Sequence, residues 1–348
     1  MSQTSTSTRV GFLGAGLIAN LHAMLLAASH VEHTLTGVYD QDEARARAFS
    51  DNWKIPLRPD ADAVLDGCDA VYVCTWTSEH NRLVEAAVAR RLAVFCEKPL
   101  AMDLAGARAM TGLVEAAEVT NQVGLVLRFS PAFNLARDLL SDPQAGPVMS
   151  VVFRDDQYLP VGGSYSSSWR GDRSKAGSGT LLEHSIHDLD MLESTVGRIT
   201  DVSARTANHH GLDNIEDAVA ASFTFADGGL GTLVSVWHDV VERESQRHVE
   251  IFARDLYVEI AGDWDGPVSW LPRGGDRRTL AGEELRAETK RRGINRGNPD
   301  SAFLRAVQAG TPASPSFRDA LRAHVLTDAF YRSAAAGGAS VAIPAGAD

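Results

Sequence analysis

Short apolar runs alternate with amphipathic helical segments up to Arg128, and this alternation constrains the fold more than any other feature. The runs cover residues 10–14, 35–40, 70–74 and 92–96, and helices are predicted to begin near residues 17, 42 and 79. Such alternation indicates a parallel sheet with helices on its faces. A piece from Ile55 and the run 123–127, which follows a predicted helix over 104–117, would bring the sheet to six strands.

Beyond Arg128 the pattern changes to longer segments of alternating polarity, starting near residues 148, 217 and 248, with a hairpin signal at 227–229. This pattern predicts a mostly antiparallel sheet with one or two helices. Residues 272–300 are predicted to form a long surface excursion, followed by a C-terminal helix over 317–334. A chain of 348 residues suits two domains. We expect a disordered polar tail over 1–8, a first domain over 9–127 and a second over 128–348.

Composition excludes some partners and indicates a compartment. The chain has 33 basic and 45 acidic residues, a net charge of -12, and no basic cluster with interleaved aromatics, which argues against nucleic acid. Cys68, Cys74 and Cys96 lack metal-ligand spacing and are expected to be buried thiols of a cytoplasmic protein. The apolar stretch near the N-terminus resembles a signal peptide, but Asn20 and His22 interrupt it. No segment is apolar enough for long enough to span a membrane.

A glycine-rich hexapeptide, GAGLIA, follows the first predicted strand and opens the first helix. Gly14 permits a tight turn, Gly16 lets the backbone approach a pyrophosphate at the helix N-terminus, and Ala19 allows close helix packing. Asp40 ends the second strand 24 residues beyond Gly16, where an acid would bind the adenosine ribose hydroxyls. The pattern predicts NAD in preference to NADP, although Arg45 and Arg47 in the next helix would soften that preference. The alternative is that Asp40 only starts a turn or caps that helix.

The run Glu97-Lys98-Pro99 follows the buried strand over 92–96. In an open parallel sheet, ligands bind outside the carboxyl ends of the strands, so Lys98 would face the reactive end of the cofactor. Pro99 restricts the backbone conformation of Lys98 and so determines where the ammonium points. A cis Lys98–Pro99 peptide bond is one way in which it would do so. The alternative is a surface Lys-Glu pair before a loop.

Residues 176–190 combine a small-residue loop with a predicted amphipathic helix on which Glu183 and His187 stand four apart. A carboxylate beside an imidazole is the usual way to orient a general base. The acids and histidines of this segment would also serve as metal ligands, but no HExxH-type pattern is present and we expect no metal. A solitary structural histidine is the third interpretation.

Several segments together resemble the Gfo/Idh/MocA family of NAD(P)-dependent oxidoreductases. They are the glycine loop at Gly14, Asp40, the Glu97-Lys98-Pro99 run, GLVLRFSP from Gly124 and GSGTLLEHSIH from Gly177. The resemblance extends from Arg9 to the last helix. It implies an α/β protein with an N-terminal Rossmann domain and a C-terminal α/β domain on a mostly antiparallel open sheet. That sheet often mediates dimers or tetramers in the family, and the substrates are commonly sugars, cyclitols or their derivatives.

The resemblance also implies roles for individual residues. Lys98 matches the catalytic lysine and His187 the catalytic histidine, whereas Glu183 stands where an aspartate is usual. Glu183 therefore either orients His187 or binds substrate. Trp76, where the family often has proline, either packs on the nicotinamide side or covers the cofactor. The residues expected at the cofactor are Gly14, Gly16, Leu17, Ile18, Asp40, Thr75, Trp76, His80, Glu97 and Lys98.

These residues would oxidise a secondary alcohol or reduce the corresponding ketone. His187 would take the hydroxyl proton, and Lys98 would stabilise the developing alkoxide while the carbon delivers hydride to the nicotinamide. The expected substrate is a neutral polyol. The residues expected to bind it are Arg128, Tyr158, Trp169, Arg170 and His187.

Two rival functions share this fold. One enzyme class oxidises a glycoside carbon transiently, eliminates a neighbouring bond and regenerates its NAD in each turnover. A protein that senses NAD without catalysis is the other rival, and the presence of both Lys98 and His187 argues against it. Net NADH formation separates the expected dehydrogenase from both rivals.

Overall fold

A computed structural model of the protein describes residues 7–162, 167–344 and 346. Internal contacts divide the chain into two compact units, Met1–Leu125 with Gly297–Leu321, and Val126–Arg296 with Arg322–Asp348. The expected boundary at 127/128 lies close to the first crossover, but the return of residues 297–321 to the first unit was not expected. Most of the expected disordered tail lies outside the described residues, and Thr8 already belongs to a strand.

Strands and helices alternate in the first part of the described chain, and strands dominate the second. The strands are β1 Thr8–Leu13, β2 His33–Tyr39, β3 Ala70–Val73, β4 Ala93–Cys96, β5 Asn121–Val123, β6 Val148–Tyr158, β7 Ile199–Ala207, β8 Ala218–Phe225, β9 Leu230–His238, β10 Gln246–Ala253, β11 Leu256–Ala261, β12 Val268–Pro272, β13 Arg278–Leu280 and β14 Val341–Ala342. The α-helices are α1 Leu17–Ala27, α2 Glu43–Trp53, α3 Ala61–Leu65, α4 His80–Ala89, α5 Leu104–Ala116, α6 Pro131–Leu140, α7 Arg173–Ala176, α8 Thr180–Glu183, α9 Ile186–Thr195, α10 Gly282–Arg291, α11 Pro299–Ala309 and α12 Phe317–Ala335.

The first unit is built on a five-stranded parallel sheet in the order β2-β1-β3-β4-β5. Every residue of β3 and β4 is buried, as expected for strands covered on both faces. Asp42, Asp60 and Asp103 cap α2, α3 and α5 by accepting a backbone N–H of the first turn, which fixes where these helices begin.

Helix α11 packs into the core of this first unit although it lies near the far end of the chain. Phe303 is fully buried, and its ring lies 5.5 Å from that of Phe95 on β4 and 5.7 Å from that of Tyr72 on β3. The unit therefore needs a segment from beyond residue 296 to complete one face of its sheet.

The prediction of a sixth strand was wrong. Leu57 makes only an isolated bridge to Val38, because Pro56 has no N–H with which to extend the pairing. The predicted strand 123–127 is displaced: β5 ends at Val123, and Val126–Phe129 form a 3-10 helix. The chain turns because the N–H of Leu125 bonds back to the carbonyl of Val123 at 2.8 Å.

The second unit is built on a nine-stranded sheet in the order β13-β12-β11-β10-β6-β9-β8-β7-β14. Neighbouring strands are antiparallel except β6 and β9, which confirms the mostly antiparallel prediction. Buried and exposed residues alternate along β8, β9 and β10, so one sheet face is covered and the other open. The hairpin predicted at 227–229 joins β8 to β9.

The expected surface excursion over 272–300 is instead partly ordered structure. It contains β13 and α10, and Leu285 and Thr289 of α10 are fully buried. The predicted C-terminal helix is confirmed as α12. No helix in the described ranges is long and apolar enough to cross a bilayer.

Candidate active site

The glycine loop sits where β1 leads into α1. Gly14 has a φ of +94°, and a Cβ there would lie 2.4 Å from the carbonyl oxygen of Cys74 at the end of β3. Both the backbone conformation and the close approach exclude other residues. The turn is further held by the N–H of Gly14, which donates to the carbonyl of Tyr39 at 2.8 Å.

The N-terminus of α1 has the properties of an anion site. Gly16 is the N-cap residue, no side chain caps the helix, and a Cβ on Gly16 would meet nothing within 4 Å. Leu17 is 73% exposed and Ile18 is partly exposed, whereas Ala19 is fully buried against the sheet. The uncapped N–H groups and the space in front of them fit a dinucleotide pyrophosphate.

Asp40 ties the glycine loop to the turn after β2. Its Oδ2 accepts the N–H of Ala15 and its Oδ1 accepts the N–H of Asp42, both at 2.8 Å. Asp42, not Asp40, is the N-cap of α2, so Asp40 does not cap that helix. Arg45 lies 3.6 Å from Asp40 and 3.3 Å from Asp42. The carboxylate of Asp40 retains lone pairs that can accept hydrogen bonds from ribose hydroxyls. The positive charge of Arg45 nearby would weaken the repulsion between Asp40 and the 2′-phosphate of NADP.

The loop after β3 carries Thr75, Trp76 and His80. Thr75 and Trp76 are partly exposed, whereas His80 is buried with its Nδ1 2.9 Å from the carbonyl of Pro99 and its Nε2 3.3 Å from that of Thr75. Burial lowers the pKa of His80 because it disfavours the charged ring. His80 thus contacts both the loop after β3 and the loop after β4, a supporting role that the sequence did not suggest.

Glu97 and Lys98 directly follow β4. Glu97 is only 5% exposed, and its Oε1 lies 2.9 Å from Nε2 of His22. Lys98 is partly exposed, and the Lys98–Pro99 peptide bond is cis. Because β1 to β4 are parallel, Lys98 and Gly14 both lie just beyond the carboxyl ends of their strands, on the same side of the sheet. The first unit therefore brings its predicted cofactor residues together at the carboxyl ends of its strands.

In the second unit the single helix predicted to carry both Glu183 and His187 is broken in two. Helix α8 ends at Glu183, and α9 begins at Ile186. The N–H groups of residues 184 and 185 both bond to the carbonyl of Thr180, and Ser185 Oγ donates to Ser235 Oγ on β9 at 2.5 Å. This contact with the sheet turns the chain, so Glu183 and His187 do not share one helix face as predicted.

Glu183 is grouped with two predicted substrate residues. It is 1% exposed, and Arg170 Nε donates to its Oε2 at 3.2 Å. The Arg170 guanidinium in turn lies over the ring of Trp169, 4.5 Å from the centroid. The buried carboxylate of Glu183, the guanidinium of Arg170 and the indole of Trp169 thus form one connected group. Trp169 lies at its edge and is partly exposed.

His187 lies in the first turn of α9, 9% exposed, between two residues that a buried arginine holds. Arg247 Nε donates to Asp188 Oδ1 at 2.6 Å, and Arg247 Nη2 lies 2.9 Å from His184 Nε2. Burial raises the pKa of Asp188 to about 7, with the nearby charge of Asp155 as the second cause.

The sequence analysis missed Arg247 and Asp155. Asp155 on β6 and Arg247 on β10 occupy inward positions at which the alternating pattern of the strand otherwise places apolar residues. A charged residue at such a position is the signal by which the sequence could have identified them. Within the described ranges, no three or more histidine, cysteine or acidic side chains converge as metal ligands do.

Arg128 and Tyr158, both predicted at the substrate, make internal contacts. Arg128 Nε and Nη2 donate to Asp190 at 2.9 and 2.6 Å, as a partly buried bidentate pair. Tyr158 Oη donates to the carbonyl of Arg243 at 2.7 Å, at the end of β6. These contacts give both residues a structural role and leave a substrate role as a proposal.

Glu216 organises the loop that precedes α8. Its carboxylate accepts the N–H groups of Gly179 and Leu181 at 2.9 and 3.0 Å and the hydroxyl of Tyr331 at 2.8 Å. A Cβ on Gly179 would lie 1.8 Å from the carbonyl oxygen of Glu216, so only glycine fits there. Glu216 is distant from this loop in sequence and was not anticipated.

These features define a class. A parallel sheet with a glycine loop after its first strand and an acid after its second is a dinucleotide-binding domain. The second unit adds a mostly antiparallel sheet, open on one face, with buried charged residues on β6, β10, α8 and α9. Residues 8–125 match the model of an oxidoreductase family with an NAD-binding Rossmann fold, and residues 133–262 match the Gfo/Idh/MocA C-terminal domain. The chain belongs to the Gfo/Idh/MocA family, and the predicted fold is confirmed.

Individual relatives agree with this assignment. The chain is 28% identical to an inositol 2-dehydrogenase of Rhizobium meliloti (strain 1021), over 94% of this chain and 97% of the relative. It is 32% identical to a 1,5-anhydro-D-fructose reductase of Ensifer adhaerens, over 49% and 50% of the two chains. A solved levoglucosan dehydrogenase in complex with NADH and levoglucosan shares the fold with a TM-score of 0.85 at 22% identity, covering 97% of this chain and 100% of the other.

Replacing Asp40 with alanine tests the cofactor site. We expect the Asp40→Ala protein to bind NAD roughly 10- to 100-fold more weakly, because charge-assisted hydrogen bonds to the ribose are lost, and NADP to be affected less. Titration calorimetry with both cofactors measures this, with Asp51→Ala on the exposed face of α2 as the control. An unchanged ratio of the two dissociation constants would show that Asp40 does not read the ribose.

Proposed function

We propose that this protein is an NAD-dependent dehydrogenase that transfers hydride from a secondary hydroxyl of a sugar, cyclitol or glycoside. The observation that carries the proposal is the position of Lys98. This lysine follows β4 at the carboxyl ends of the parallel strands, where the glycine loop and Asp40 also lie. An ammonium at the reactive end of a bound cofactor has a chemical use there, namely to stabilise negative charge on a reacting oxygen.

NAD, when bound by the glycine loop and Asp40, supplies the hydride acceptor. Lys98 donates a hydrogen bond to the substrate oxygen and stabilises it as the hydroxyl proton leaves. His187 accepts that proton, and the contacts of Arg247 with His184 and Asp188 hold the turn from which His187 projects. In the reverse direction the same two groups polarise the carbonyl and return the proton.

A neutral polyol suits the second unit better than a phosphorylated or nucleotide-linked sugar. The arginines near its candidate residues already have carboxylate partners: Arg170 with Glu183, Arg128 with Asp190, and Arg247 with Asp188. Compensated guanidiniums exert little net attraction on a phosphate. Trp169 offers an apolar face for a sugar ring, and Arg170 and Glu183 offer hydroxyl partners. The named relatives act on inositol, 1,5-anhydro-D-fructose and levoglucosan, which accords with this class.

We assign the protein to the cytoplasm. Cys68, Cys74 and Cys96 are all buried and free. Free thiols without a disulfide framework suit a reducing compartment.

A substrate panel tests the function. The purified protein is mixed with NAD or NADP and with inositols, free sugars, anhydrosugars and simple glycosides, and NADH absorbance is followed. Net NADH formation with at least one neutral polyol is expected. NAD binding without absorbance change on any polyol would contradict net dehydrogenation and favour an internally recycled cofactor or a regulatory protein.

Replacing Lys98 separates chemistry from cofactor binding. The Lys98→Ala protein should lose turnover by about 100-fold or more, because a preorganised cation is removed from the reacting oxygen, while NAD binding stays within about threefold of the parent. Steady-state kinetics and NAD titration measure the two effects. Lys290→Ala, on the exposed face of α10, is the matched control. Loss of NAD binding in parallel with turnover would contradict the assigned role.

We further propose that the protein forms a homodimer or homotetramer through the open face of the second-unit sheet. Four outward residues of its three central strands are apolar and exposed: Val152 on β6 (42%), Leu230 and Val234 on β9 (60% and 45%) and Phe252 on β10 (39%). The strand registers make Val152 the diagonal neighbour of the other three, with polar residues such as Ser150 and Glu250 between them. An apolar face on several central strands favours a second copy of the same face.

A lysine at Val152 tests this interface. Val152 lies opposite Glu250, so the new ammonium finds a partner in a monomer but is costly when buried between two copies. We expect Val152→Lys to shift the mass measured by light scattering towards the monomer. Thr206→Lys, on the exposed part of β7, is the control and should leave the mass unchanged. An unchanged mass for Val152→Lys would place the interface elsewhere.

A further inference from the structure

A fully buried histidine links three segments of the first unit. His22, on α1, lies with Nδ1 2.8 Å from Oδ1 of Asp300 and Nε2 2.9 Å from Oε1 of Glu97. His22 and Asp300 are both 0% exposed, and Glu97 is 5% exposed. Carboxylate oxygens only accept hydrogen bonds, so both ring nitrogens must donate. A ring that donates through both nitrogens is a cation, so the geometry makes His22 an imidazolium.

The surroundings explain why the charge is tolerated. The ring of His22 packs 4.7 Å from the ring of Phe95 and 5.3 Å from that of Tyr72, in a site away from solvent. Burial alone would lower the pKa of His22, but the charges and hydrogen bonds of Asp300 and Glu97 outweigh it and raise the pKa from 6.5 to about 10. The imidazolium is therefore the dominant form at neutral pH.

Glu97 transmits this contact to the neighbouring lysine. Its second oxygen, Oε2, accepts the backbone N–H of Lys98 at 3.3 Å, and its own N–H donates to the carbonyl of Val73 at 2.9 Å. Gly124 leaves the room that the carboxylate occupies, because a Cβ there would lie 2.0 Å from Oε1 of Glu97. The backbone from which Lys98 projects is thus held through a side chain whose orientation His22 sets.

The same histidine reaches the cofactor helix and the returning helix. His22 lies on α1, whose first turn is the proposed pyrophosphate site. Asp300 lies in the first turn of α11, and Asn298, the N-cap of α11, donates from its side chain to the carbonyl of Leu25 on α1 at 2.8 Å. Helix α1, the end of β4 and α11 therefore share one charged contact.

We propose that His22 is a positioning residue for hydride transfer: clamped by Asp300, it orients Glu97 and so sets the direction of Lys98 relative to the cofactor helix. This inference rests on the catalytic role proposed for Lys98. Neither sequence pattern nor the family match assigns a role to His22 or Asp300. A purely structural contact would affect stability alone, whereas a positioning contact must affect turnover more than binding.

The test compares His22→Gln and Asp300→Asn with Lys98→Ala and the parent. A glutamine is uncharged and carries both of its N–H donors on one nitrogen, so it cannot replace the two separate ring nitrogens that face Asp300 and Glu97, and Glu97 loses its fixed orientation. We expect kcat of His22→Gln to fall by about 10- to 100-fold, with KM and the NAD dissociation constant changed by less than about threefold. His33→Gln, at a partly exposed histidine of β2, is the matched control. If His22→Gln does not fold, Asp300→Asn, which keeps the size and one acceptor, decides the question.

The pH profile separates positioning from mere support. The titratable groups facing His22 are Glu97 after β4, Asp300 on α11 and Tyr72 on β3, and Cys74 interacts in turn with Glu97 and Asp300. Burial raises the pKa of Tyr72 and of Cys74 well above their ordinary values, so both stay neutral. Asp300→Asn removes one of the two charges that raise the pKa of His22. Its kcat relative to the parent should therefore fall as the pH rises from about 7 to about 9. A constant ratio over that range would overturn the inference.

Stability provides a check on the charge itself. The folded pKa of His22, about 10, exceeds its ordinary value of 6.5. The imidazolium therefore stabilises the folded protein fully at a pH below 6.5, and this stabilisation is lost as the pH rises towards about 10. The difference in melting temperature between parent and His22→Gln should shrink over that interval. A difference that stays constant would mean that His22 carries no buried charge, which overturns the inference.

The Lys98→Ala protein distinguishes failure of this inference from failure of the proposed function. Full turnover by Lys98→Ala would remove the catalytic role of Lys98, and the inference with it. If Lys98→Ala is inactive while folded His22→Gln and Asp300→Asn keep the kcat of the parent, the function stands and only the positioning role of His22 is wrong.

Discussion

The first unit depends on a charge buried between two opposite charges. An imidazolium in a protein core is very costly unless it is fully paired, and His22 is paired at both nitrogens by Glu97 and Asp300. The pairing explains several otherwise separate features. Residue 124 must be glycine to leave room for Glu97, and α11 must return from beyond residue 296 to bring Asp300 to the site. The backbone just after β4, from which Lys98 projects, is therefore anchored by a contact that spans almost the whole chain.

The second unit uses a similar device beneath a different set of candidate residues. Arg247 is buried among Asp155, Asp188 and Asp263, and its contacts with Asp188 and His184 lie on either side of His187. Charges held in this way cost desolvation energy, but their geometry is hard to change because each partner would be left unpaired. In both units, buried charges that cost stability hold the backbone rigid where a candidate functional side chain projects, Lys98 in the first unit and His187 in the second.

Local spacing made part of this site predictable, and long-range contacts account for the rest. Gly14, Asp40 and Lys98 follow β1, β2 and β4 of a parallel sheet, so the order of strands and loops in the sequence was enough to place them at the carboxyl ends of its strands. The failures have a common cause. The helix predicted to carry both Glu183 and His187 breaks because Ser235, from a distant strand, binds its middle, and the return of residues 297–321 to the first unit brings Asp300 to His22 across most of the chain. Such contacts leave no trace in local periodicity.

Transfer of a carbon-bound hydrogen to the cofactor tests the central claim most directly. Inositols and sugars deuterated at their secondary alcohol carbons are incubated with the enzyme and NAD, and the cofactor is recovered and analysed by mass spectrometry. The proposed mechanism predicts NADH carrying deuterium at C4 of the nicotinamide, together with a ketone that has lost it. Cofactor recovered as unlabelled NAD, with a product altered elsewhere in the ring, would contradict net hydride transfer and identify NAD as an internally recycled group.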